Sequence, residues 1–263
     1  MEVLKEVGLV VGIFAAIALV LTILILLVVK LCKVESDERA EQILEKLAGA
    51  NCGGCGCSGC SDFAQKLCHG EAKLGDCHVT DLENKKQIAE ILGIAAEASE
   101  PTVMVACCKG GKDAKDAFSY VGDESCAARQ TLGGGKVCSF GCLGGGSCEK
   151  ACPQNAVSMK EGHSVIDTDL CISCGTCAAA CPRKILRRIP VSAPVYVACV
   201  SECRGKDVIS ACANGCIACG LCAKNCPSGA ITMVNNLPVI DYKKCTGCKT
   251  CVAKCPKKVI VER

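Results

Sequence analysis

The first 33 residues hold the longest apolar run of the chain. From Gly8 to Val29 there are 22 residues without a charge, and Thr22 is the one polar residue among them. About 20 apolar residues span the hydrocarbon of a bilayer, so the run predicts a transmembrane anchor in residues 1–33. A signal peptide is the competing interpretation, but its apolar region has about 7–15 residues and precedes a small-residue cleavage site. Here the run is longer and ends in Lys30-Leu31-Cys32, a poor cleavage site.

The charges around this run predict its orientation. Glu2, Lys5 and Glu6 precede it, and Lys30 and Lys33 follow it. Positive residues stay cytoplasmic, so we expect a single pass through the cell (inner) membrane with the bulk of the chain on the cytoplasmic side. That compartment keeps thiols reduced. Cysteines are therefore expected to act as metal ligands rather than in disulfides.

Periodicity predicts a few regular elements beyond the anchor. An amphipathic pattern over residues 36–48 predicts a helix with Ser36 as its N-cap. Residues 82–97 predict a second helix. After Pro101, the stretch 102–106 is rich in β-branched and apolar residues and predicts a short strand.

Cysteine is the residue type that changes this picture. The chain has 29 cysteines in 263 residues, 3% aromatic residues and no Trp. Aromatic side chains normally supply much of a buried core, so something else must hold this fold. A full disulfide set would leave one thiol over, because 29 is odd. The net charge of +3, without a basic stripe interleaved with aromatics, argues against a nucleic-acid partner.

The first cysteine group follows the predicted helix at 36–48. Its spacing is C-x2-C-x4-C-x16-C, and glycines between the cysteines let the backbone bend tightly around a bulky anionic group. Cys57 lies inside this loop and is not counted as a ligand. The predicted ligands are Cys52, Cys55, Cys60 and Cys77.

From Cys138 onward the chain is duplicated. Each cysteine of the first copy has a counterpart 74 positions later, as Cys138 has in Cys212. The apolar scaffold repeats as well, since Val165-Ile166-Asp167 recurs as Val239-Ile240-Asp241. A repeat of this length indicates a domain copied within one chain rather than a solenoid turn.

The duplicated region carries the ligand spacing of bacterial ferredoxins. The run C-x2-C-x2-C-x3-C-P begins at Cys171, Cys216 and Cys245. In this pattern three cysteines bind one [4Fe–4S] cluster and the fourth binds the other cluster of a two-cluster fold. Zinc, whose sites usually take two separated C-x2-C pairs, and a thiol-rich metal store are the alternatives.

The first run of the duplicated region departs from this pattern. Gly145 stands where the second copy has Cys219, so one ligand is missing. We expect Cys138 to replace it, and a three-iron cluster without Cys138 is the alternative. The predicted sets are Cys138, Cys142, Cys148 and Cys181; Cys152, Cys171, Cys174 and Cys177; Cys216, Cys219, Cys222 and Cys255; and Cys226, Cys245, Cys248 and Cys251. With the first group, this makes five [4Fe–4S] clusters.

Nine cysteines remain outside the predicted ligand sets. A free Cys is often a small buried apolar residue, and this is the role expected of them. They are Cys32, Cys57, Cys68, Cys107, Cys108, Cys126, Cys199, Cys203 and Cys212. The glycine run before Lys136 is too short for a phosphate loop or a dinucleotide fingerprint, so no NAD or flavin site and no catalytic residue is predicted.

The predicted architecture is α+β. It has a transmembrane helix, a small helical single-cluster domain and two tandem bacterial-type two-cluster ferredoxin modules. The predicted boundaries are 1–33 for the anchor, 34–99 for the single-cluster domain, 100–137 for a connecting segment, and 138–190 and 191–263 for the modules.

The whole chain resembles the B subunits of Rnf complexes. The resemblance is carried by the membrane helix, the stretch Ala50-Asn51-Cys-Gly-Gly-Cys-Gly-Cys-Ser-Gly-Cys60 with Cys77, and the tandem modules. It implies a membrane complex that oxidises ferredoxin, reduces NAD and exports sodium ions or protons. It also implies partner subunits that carry flavin and NAD sites, polytopic partners, and soluble ferredoxin as electron donor. An electron-relay subunit of a hydrogenase or formate dehydrogenase complex is the alternative.

Basic residues near the cysteine runs have two interpretations. They balance the negative charge of cysteine-bound clusters, or they form a docking face for an acidic ferredoxin. They are Lys243, Lys244, Lys249, Lys254, Lys257 and Lys258 around the last run, and Arg183, Lys184, Arg187 and Arg188 after the first module.

Overall fold

A computed structural model of the chain describes residues 2–31, 37–95 and 100–263. The α-helices are α1 (Glu2–Leu31), α2 (Glu38–Lys46), α3 (Cys60–His69), α4 (Leu82–Leu92), α5 (Cys126–Thr131), α6 (Ser147–Lys150), α7 (Thr176–Ala179), α8 (Gly205–Ala211), α9 (Leu221–Lys224) and α10 (Thr250–Lys254). The strands are β1 (Thr102–Ala106), β2 (Val157–Lys160), β3 (His163–Ile166), β4 (Leu186–Pro190), β5 (Val195–Val197), β6 (Ile231–Val234), β7 (Leu237–Ile240) and β8 (Ile260–Glu262).

The predicted anchor falls on helix α1. Its described side chains are exposed, as Phe14 and Leu26 illustrate at 68% and 63%. Among the described residues, no helix is both long enough and apolar enough to cross a membrane. The helical state of the run is therefore observed, and the transmembrane span is not confirmed.

Helices α2, α3 and α4 form a small helical domain around one core. Ile43, Phe63 and Ile88 are almost completely buried between them. The cap of α2 is Asp37, whose carboxylate accepts a hydrogen bond from the Arg39 amide at 3.0 Å; the predicted cap, Ser36, lies outside the described residues. Helix α4 ends at Leu92, short of the predicted residue 97, because the next residue is a glycine in the left-handed region (φ 66°).

The predicted duplication recurs in two matching hairpins. In the first module β2 pairs with β3, with Val157 opposite Ile166. In the second module β6 pairs with β7, with Ile231 opposite Ile240. Each residue pair differs from its counterpart by the same 74 positions as the cysteines. The two copies therefore share one backbone plan.

A second two-strand ladder closes each module. The predicted strand at 102–106 is confirmed as β1, which pairs antiparallel with β4, and β5 pairs with β8 in the same way. Ala106 lies opposite Leu186 in the first ladder, and Val197 lies opposite Ile260 in the second. The segment expected to connect two domains thus contributes a strand to the first module.

Candidate metal centres

The first group of predicted ligands lines one concavity of the helical domain. Its walls include all four cysteines of the set: Cys52, Cys55, Cys60 and Cys77. Gly53 and Gly56 adopt positive φ angles of 68° and 82°, which bends the loop around this space. The Asn51 side chain accepts a hydrogen bond from the Cys60 amide at 2.8 Å and holds the loop against the start of α3.

The wall of this concavity also includes Cys174 of the first module. Contact is so close that a Cβ on Gly54 would lie 2.1 Å from the Cys174 carbonyl oxygen. The Thr176 hydroxyl donates a hydrogen bond to the Cys52 carbonyl at 3.4 Å. Two predicted ligand loops, one from each domain, therefore touch.

The second module brings together another predicted set. A partly open concavity is lined by Cys216, Cys219, Cys222 and Cys255. The Val259 amide donates to the Cys255 sulfur at 3.3 Å. Burial raises the pKa of the Cys216 thiol to about 11, so this sulfur holds its proton until a cation replaces it.

The corresponding concavity of the first module contains Cys126 where the sequence pattern predicts Cys138. Its walls include four cysteines: Cys126, Cys142, Cys148 and Cys181. Cys126 begins helix α5, and its amide donates to the Ser147 hydroxyl at 2.9 Å. Sequence reasoning missed Cys126 because it lies outside the duplicated cysteine pattern.

Gly145 explains how Cys126 reaches this site. A Cβ on Gly145 would lie 2.2 Å from the Glu124 carbonyl oxygen and 2.8 Å from the Cys126 nitrogen. Only glycine lets the 124–126 backbone pack against this position. The glycine that stands in the place of the predicted ligand Cys219 of the second copy thus makes room for Cys126.

In each module, three cysteines of the remaining predicted set lie close together. Cys171 and Cys174 lie near Cys177, and together with burial, which is the main cause, their charges raise the pKa of its thiol to about 12. In the second module, burial is again the main cause of a raised pKa, that of the Cys251 thiol. The nearby Cys245 and Cys248 raise this pKa further. The fourth members, Cys152 and Cys226, pack at the edges of the same two cores.

The guanidinium of Arg188 packs against the 171–177 loop. Its guanidinium donates to the Ser173 carbonyl at 2.9 Å and to the Ser173 hydroxyl at 3.2 Å. A Cβ on Gly175 would lie 2.8 Å from the same group. Partial burial lowers the pKa of Arg188 from its ordinary value. The neighbouring cysteines Cys174, Cys177 and Cys171 partly offset this effect, Cys174 most.

The chemistry of these donors fits iron–sulfur clusters. All 28 described cysteines are free thiols, and backbone amides point at several of the sulfurs, as the Ala156 amide does at Cys152 (3.3 Å). Sulfur donors of this kind suit clusters of thiophilic iron. In the ranges 37–95 and 100–263, no three His, Cys, Asp or Glu side chains are gathered as a metal ion would require.

Three family models match separate parts of the chain. The model described as "Putative Fe-S cluster" matches residues 47–79. Two models described as "4Fe-4S dicluster domain" match residues 141–186 and 215–259. These segments coincide with the helical domain and the two modules.

Curated relatives extend the similarity to nearly the whole chain. The B subunit of the ion-translocating oxidoreductase complex of Methanosarcina acetivorans is 38% identical over 86% of this chain and 87% of its own length. The B subunit of the Na(+)-translocating ferredoxin:NAD(+) oxidoreductase complex of Acetobacterium woodii is 37% identical over 95% of this chain and 76% of its own. The B subunit of the proton-translocating ferredoxin:NAD(+) oxidoreductase complex of Clostridium ljungdahlii is 46% identical over 66% of this chain and 63% of its own length. This chain belongs to the family of B subunits of ion-translocating oxidoreductase complexes, the Rnf complexes.

Proposed function

We propose that the chain is the iron–sulfur electron-relay subunit of a membrane-bound, ion-translocating ferredoxin:NAD+ oxidoreductase. It accepts electrons from reduced ferredoxin and passes them to partner subunits that bind flavin and NAD. The observation that carries this proposal is the gathering of cysteines into separate sets of four around concavities in all three cysteine-rich units. The names of two relatives, which specify ferredoxin:NAD(+) oxidoreductase, support the reaction.

Five ligand sets follow from the geometry and the ferredoxin pattern. Four of them are those expected from the sequence, and in the first module Cys126 takes the place expected of Cys138. The proposed sets are Cys52, Cys55, Cys60 and Cys77; Cys126, Cys142, Cys148 and Cys181; Cys152, Cys171, Cys174 and Cys177; Cys216, Cys219, Cys222 and Cys255; and Cys226, Cys245, Cys248 and Cys251. When bound, each [4Fe–4S] cluster supplies one-electron redox chemistry.

The chain's own residues create the environment of these sets. Buried Ile185 and Ile260 keep water away from the module cores. Amides that donate to Cys152 and Cys255 favour the thiolate form of those sulfurs. The contact of Gly54 with Cys174 brings the helical domain next to the first module, which is the arrangement that a relay between them needs.

We further propose that α1 anchors the chain in the cell membrane, with the modules on the cytoplasmic side. The described part of α1 exposes a continuous series of apolar side chains, including Ile13, Leu19 and Leu27. Exposed apolar surface of this extent is typical of membrane contact. The lysines that follow the helix in sequence favour this orientation.

The C-terminal module offers a face for ferredoxin. Lys243, Lys254 and Lys258 are exposed around its ligand runs. Two neighbouring lysines already have acidic partners, Lys244 in Asp241 and Lys249 in Glu262. The unshared positive charge attracts an acidic partner and accelerates its association.

The test uses the full chain purified anaerobically in detergent. Reduced ferredoxin is expected to bleach its iron–sulfur absorbance and to produce the EPR signals of reduced [4Fe–4S] clusters. Protein with stoichiometric zinc and little acid-labile sulfide would refute the iron–sulfur assignment. Protein that carries clusters but accepts electrons from a hydrogenase or formate dehydrogenase subunit, and not from ferredoxin, would refute the proposed reaction.

A further inference from the structure

A cysteine-lined cavity lies between the two modules, outside the five proposed sets. It is partly open to solvent and has a volume of about 160 Å³. Apolar side chains, Phe140, Val200 and Val208 among them, form much of its wall. Its lining also includes five cysteines: Cys108, Cys138, Cys199, Cys203 and Cys212. The cavity thus contains Cys138 together with four cysteines expected to be spare.

Four of these cysteines form two structurally equivalent pairs. Cys138 and Cys212 are related by the 74-residue offset of the duplication. Cys108 lies two residues beyond Ala106, the last residue of β1, and Cys199 lies two residues beyond Val197, the last residue of β5. Since those two strand ends have equivalent partners in their ladders, Cys108 and Cys199 are equivalent as well. Each copy therefore supplies the same two positions.

Backbone amides are directed at the sulfurs from both sides. The amides of Gly110 and Cys142 donate to the Cys108 sulfur at 3.5 and 3.3 Å. The Cys216 amide donates to the Cys199 sulfur at 3.4 Å. Burial raises the pKa of the Cys108 thiol to about 11. Such N–H groups are the donors that a buried thiolate sulfur requires.

Contacts between the copies hold the pairs together. Ala114 and Cys212 form an antiparallel bridge, and the Lys115 amide donates to the Ala211 carbonyl at 2.9 Å. A Cβ on Gly110 would lie 3.4 Å from the Cys212 sulfur and 3.6 Å from the Cys108 sulfur. One sulfur from each copy therefore flanks the same glycine.

We propose that Cys108, Cys138, Cys199 and Cys212 bind a sixth iron–sulfur cluster of the [4Fe–4S] type. Ligation replaces four thiol protons, which leave to solvent, and four thiolates on a 2+ core carry a net charge of −2. Arg183 supplies positive charge next to Cys138. Burial lowers the pKa of its guanidinium overall, and the neighbouring Cys138 and Cys181 partly offset this effect. Cys203 is excluded because its equivalent in the first copy is Lys112.

A cluster suits this cavity better than a single zinc ion. Zinc in structural sites needs four donors at about 2.0–2.3 Å around one point. The cavity is instead roomy, and its cysteines enter from four separate segments of two modules. The same donor type around smaller concavities forms the proposed sites on either side.

The site lies where an electron carrier between the two modules would be needed. Its role as a carrier rests on the proposed function. Cys142 and Cys216, whose amides donate to its sulfurs, belong to the flanking ligand sets of the first and second modules. The cluster would take up one electron, its core passing from 2+ to 1+, and release it again between those modules. Without a carrier here, the two halves of the relay have only protein between them.

The test measures iron, acid-labile sulfide and zinc in the full chain and in matched double variants. The unmodified chain is expected to hold about 24 iron and 24 sulfide, against about 20 for five clusters. Cys199→Ala with Cys212→Ala is expected to lose about four of each and one EPR-active centre on reduction. Cys57→Ala with Cys68→Ala, which changes two cysteines away from this cavity, is the control and keeps the full content.

Three results would overturn the sixth cluster. They are about 20 iron in the unmodified chain, full iron in the Cys199/Cys212 variant, or loss of one zinc in that variant. Cys212→Ser, which preserves side-chain size, separates ligand loss from misfolding: it is expected to lower iron while the other EPR signals stay intact, and loss of every signal would indicate a folding role instead. Failure of the proposed function differs, because ferredoxin would then not reduce a chain whose metal content is complete.

Discussion

Gly145→Ala tests the replacement of a ligand by Cys126. The added Cβ would lie 2.2 Å from the Glu124 oxygen, 3.0 Å from the Ser125 carbonyl carbon and 2.8 Å from the Cys126 nitrogen. Relieving the closest contact moves this backbone by about 1 Å, and overpacking of this kind typically costs about 1–3 kcal/mol. Metal–ligand distances tolerate only about 0.2 Å. We therefore expect the Cys126 sulfur to leave its iron.

The assay is iron counting with low-temperature EPR of the oxidised protein. Gly145→Ala is expected to lose about one iron per chain and to give a three-iron signal, because an iron without thiolate is readily lost. Gly145→Cys introduces the same clash but provides a thiol where the second copy has Cys219. It is expected to keep the full iron content.

The two variants together can refute this reasoning. If Gly145→Ala keeps all its iron, Cys126 is not a ligand or its backbone adapts without moving the sulfur. If both variants lose the same amount of iron, the clash disturbs folding rather than ligation. Cys126→Ala removes the sulfur without a clash and decides between these readings: a three-iron signal is expected, and full iron in this variant would show that Cys126 is not a ligand.

Four further outcomes are expected. Deletion of residues 1–33 should release a soluble, still brown protein, and a membrane-bound product without partners would contradict the anchor. Removal of iron by a chelator should unfold both modules, as circular dichroism would show; retained strand signal would contradict a metal-held core. Arg188→Ala should lower the potential of the cluster at the 171–177 loop by up to about 60 mV, a tenfold change in a one-electron equilibrium, while Arg188→Lys changes it less. The triple variant Lys243→Glu, Lys254→Glu and Lys258→Glu should slow reduction by ferredoxin on the order of 10-fold at low salt. A slowing that persists at high salt would refute electrostatic steering of ferredoxin.

The elements that local sequence predicts well are those with local causes. The strand β1 follows from its β-branched and apolar residues, and the match between the two copies follows from the repeat. The helix ends are predicted less well, because the left-handed Gly93 stops α4 before the apolar pattern ends. The C-x2-C-x2-C spacing likewise predicts ligand loops, because the three cysteines of one short loop bind the same cluster.

Cys126 could not be placed in the same way, because its position depends on contacts distant in sequence. A signal for it exists in the register of the two copies. Cys108 and Cys199 are 91 residues apart, whereas Cys138 and Cys212 are 74 apart, so the first copy has 17 additional residues between these points. Cys126 lies in that longer segment. A missing cysteine at 145 beside an insertion with a new cysteine indicates replacement. The identical Val-Ala-Cys stretches at 105–107 and 197–199 hide this register, because the strand ladders pair Ala106 with Leu186 and Val197 with Ile260 and so make Cys108 the counterpart of Cys199.

The low aromatic content follows from what fills the modules. Their largest fully buried side chains include Ile185 and Ile260 rather than any aromatic residue. Cys142, Cys148 and Cys177 belong to the first core, and Cys222 and Cys251 belong to the second. A cluster bound by these sulfurs occupies the volume that Phe or Trp fills in other small domains. The groups that would carry the electrons are then also the groups that hold the modules together, so a ligand substitution is expected to affect the stability of its module as well as its redox activity.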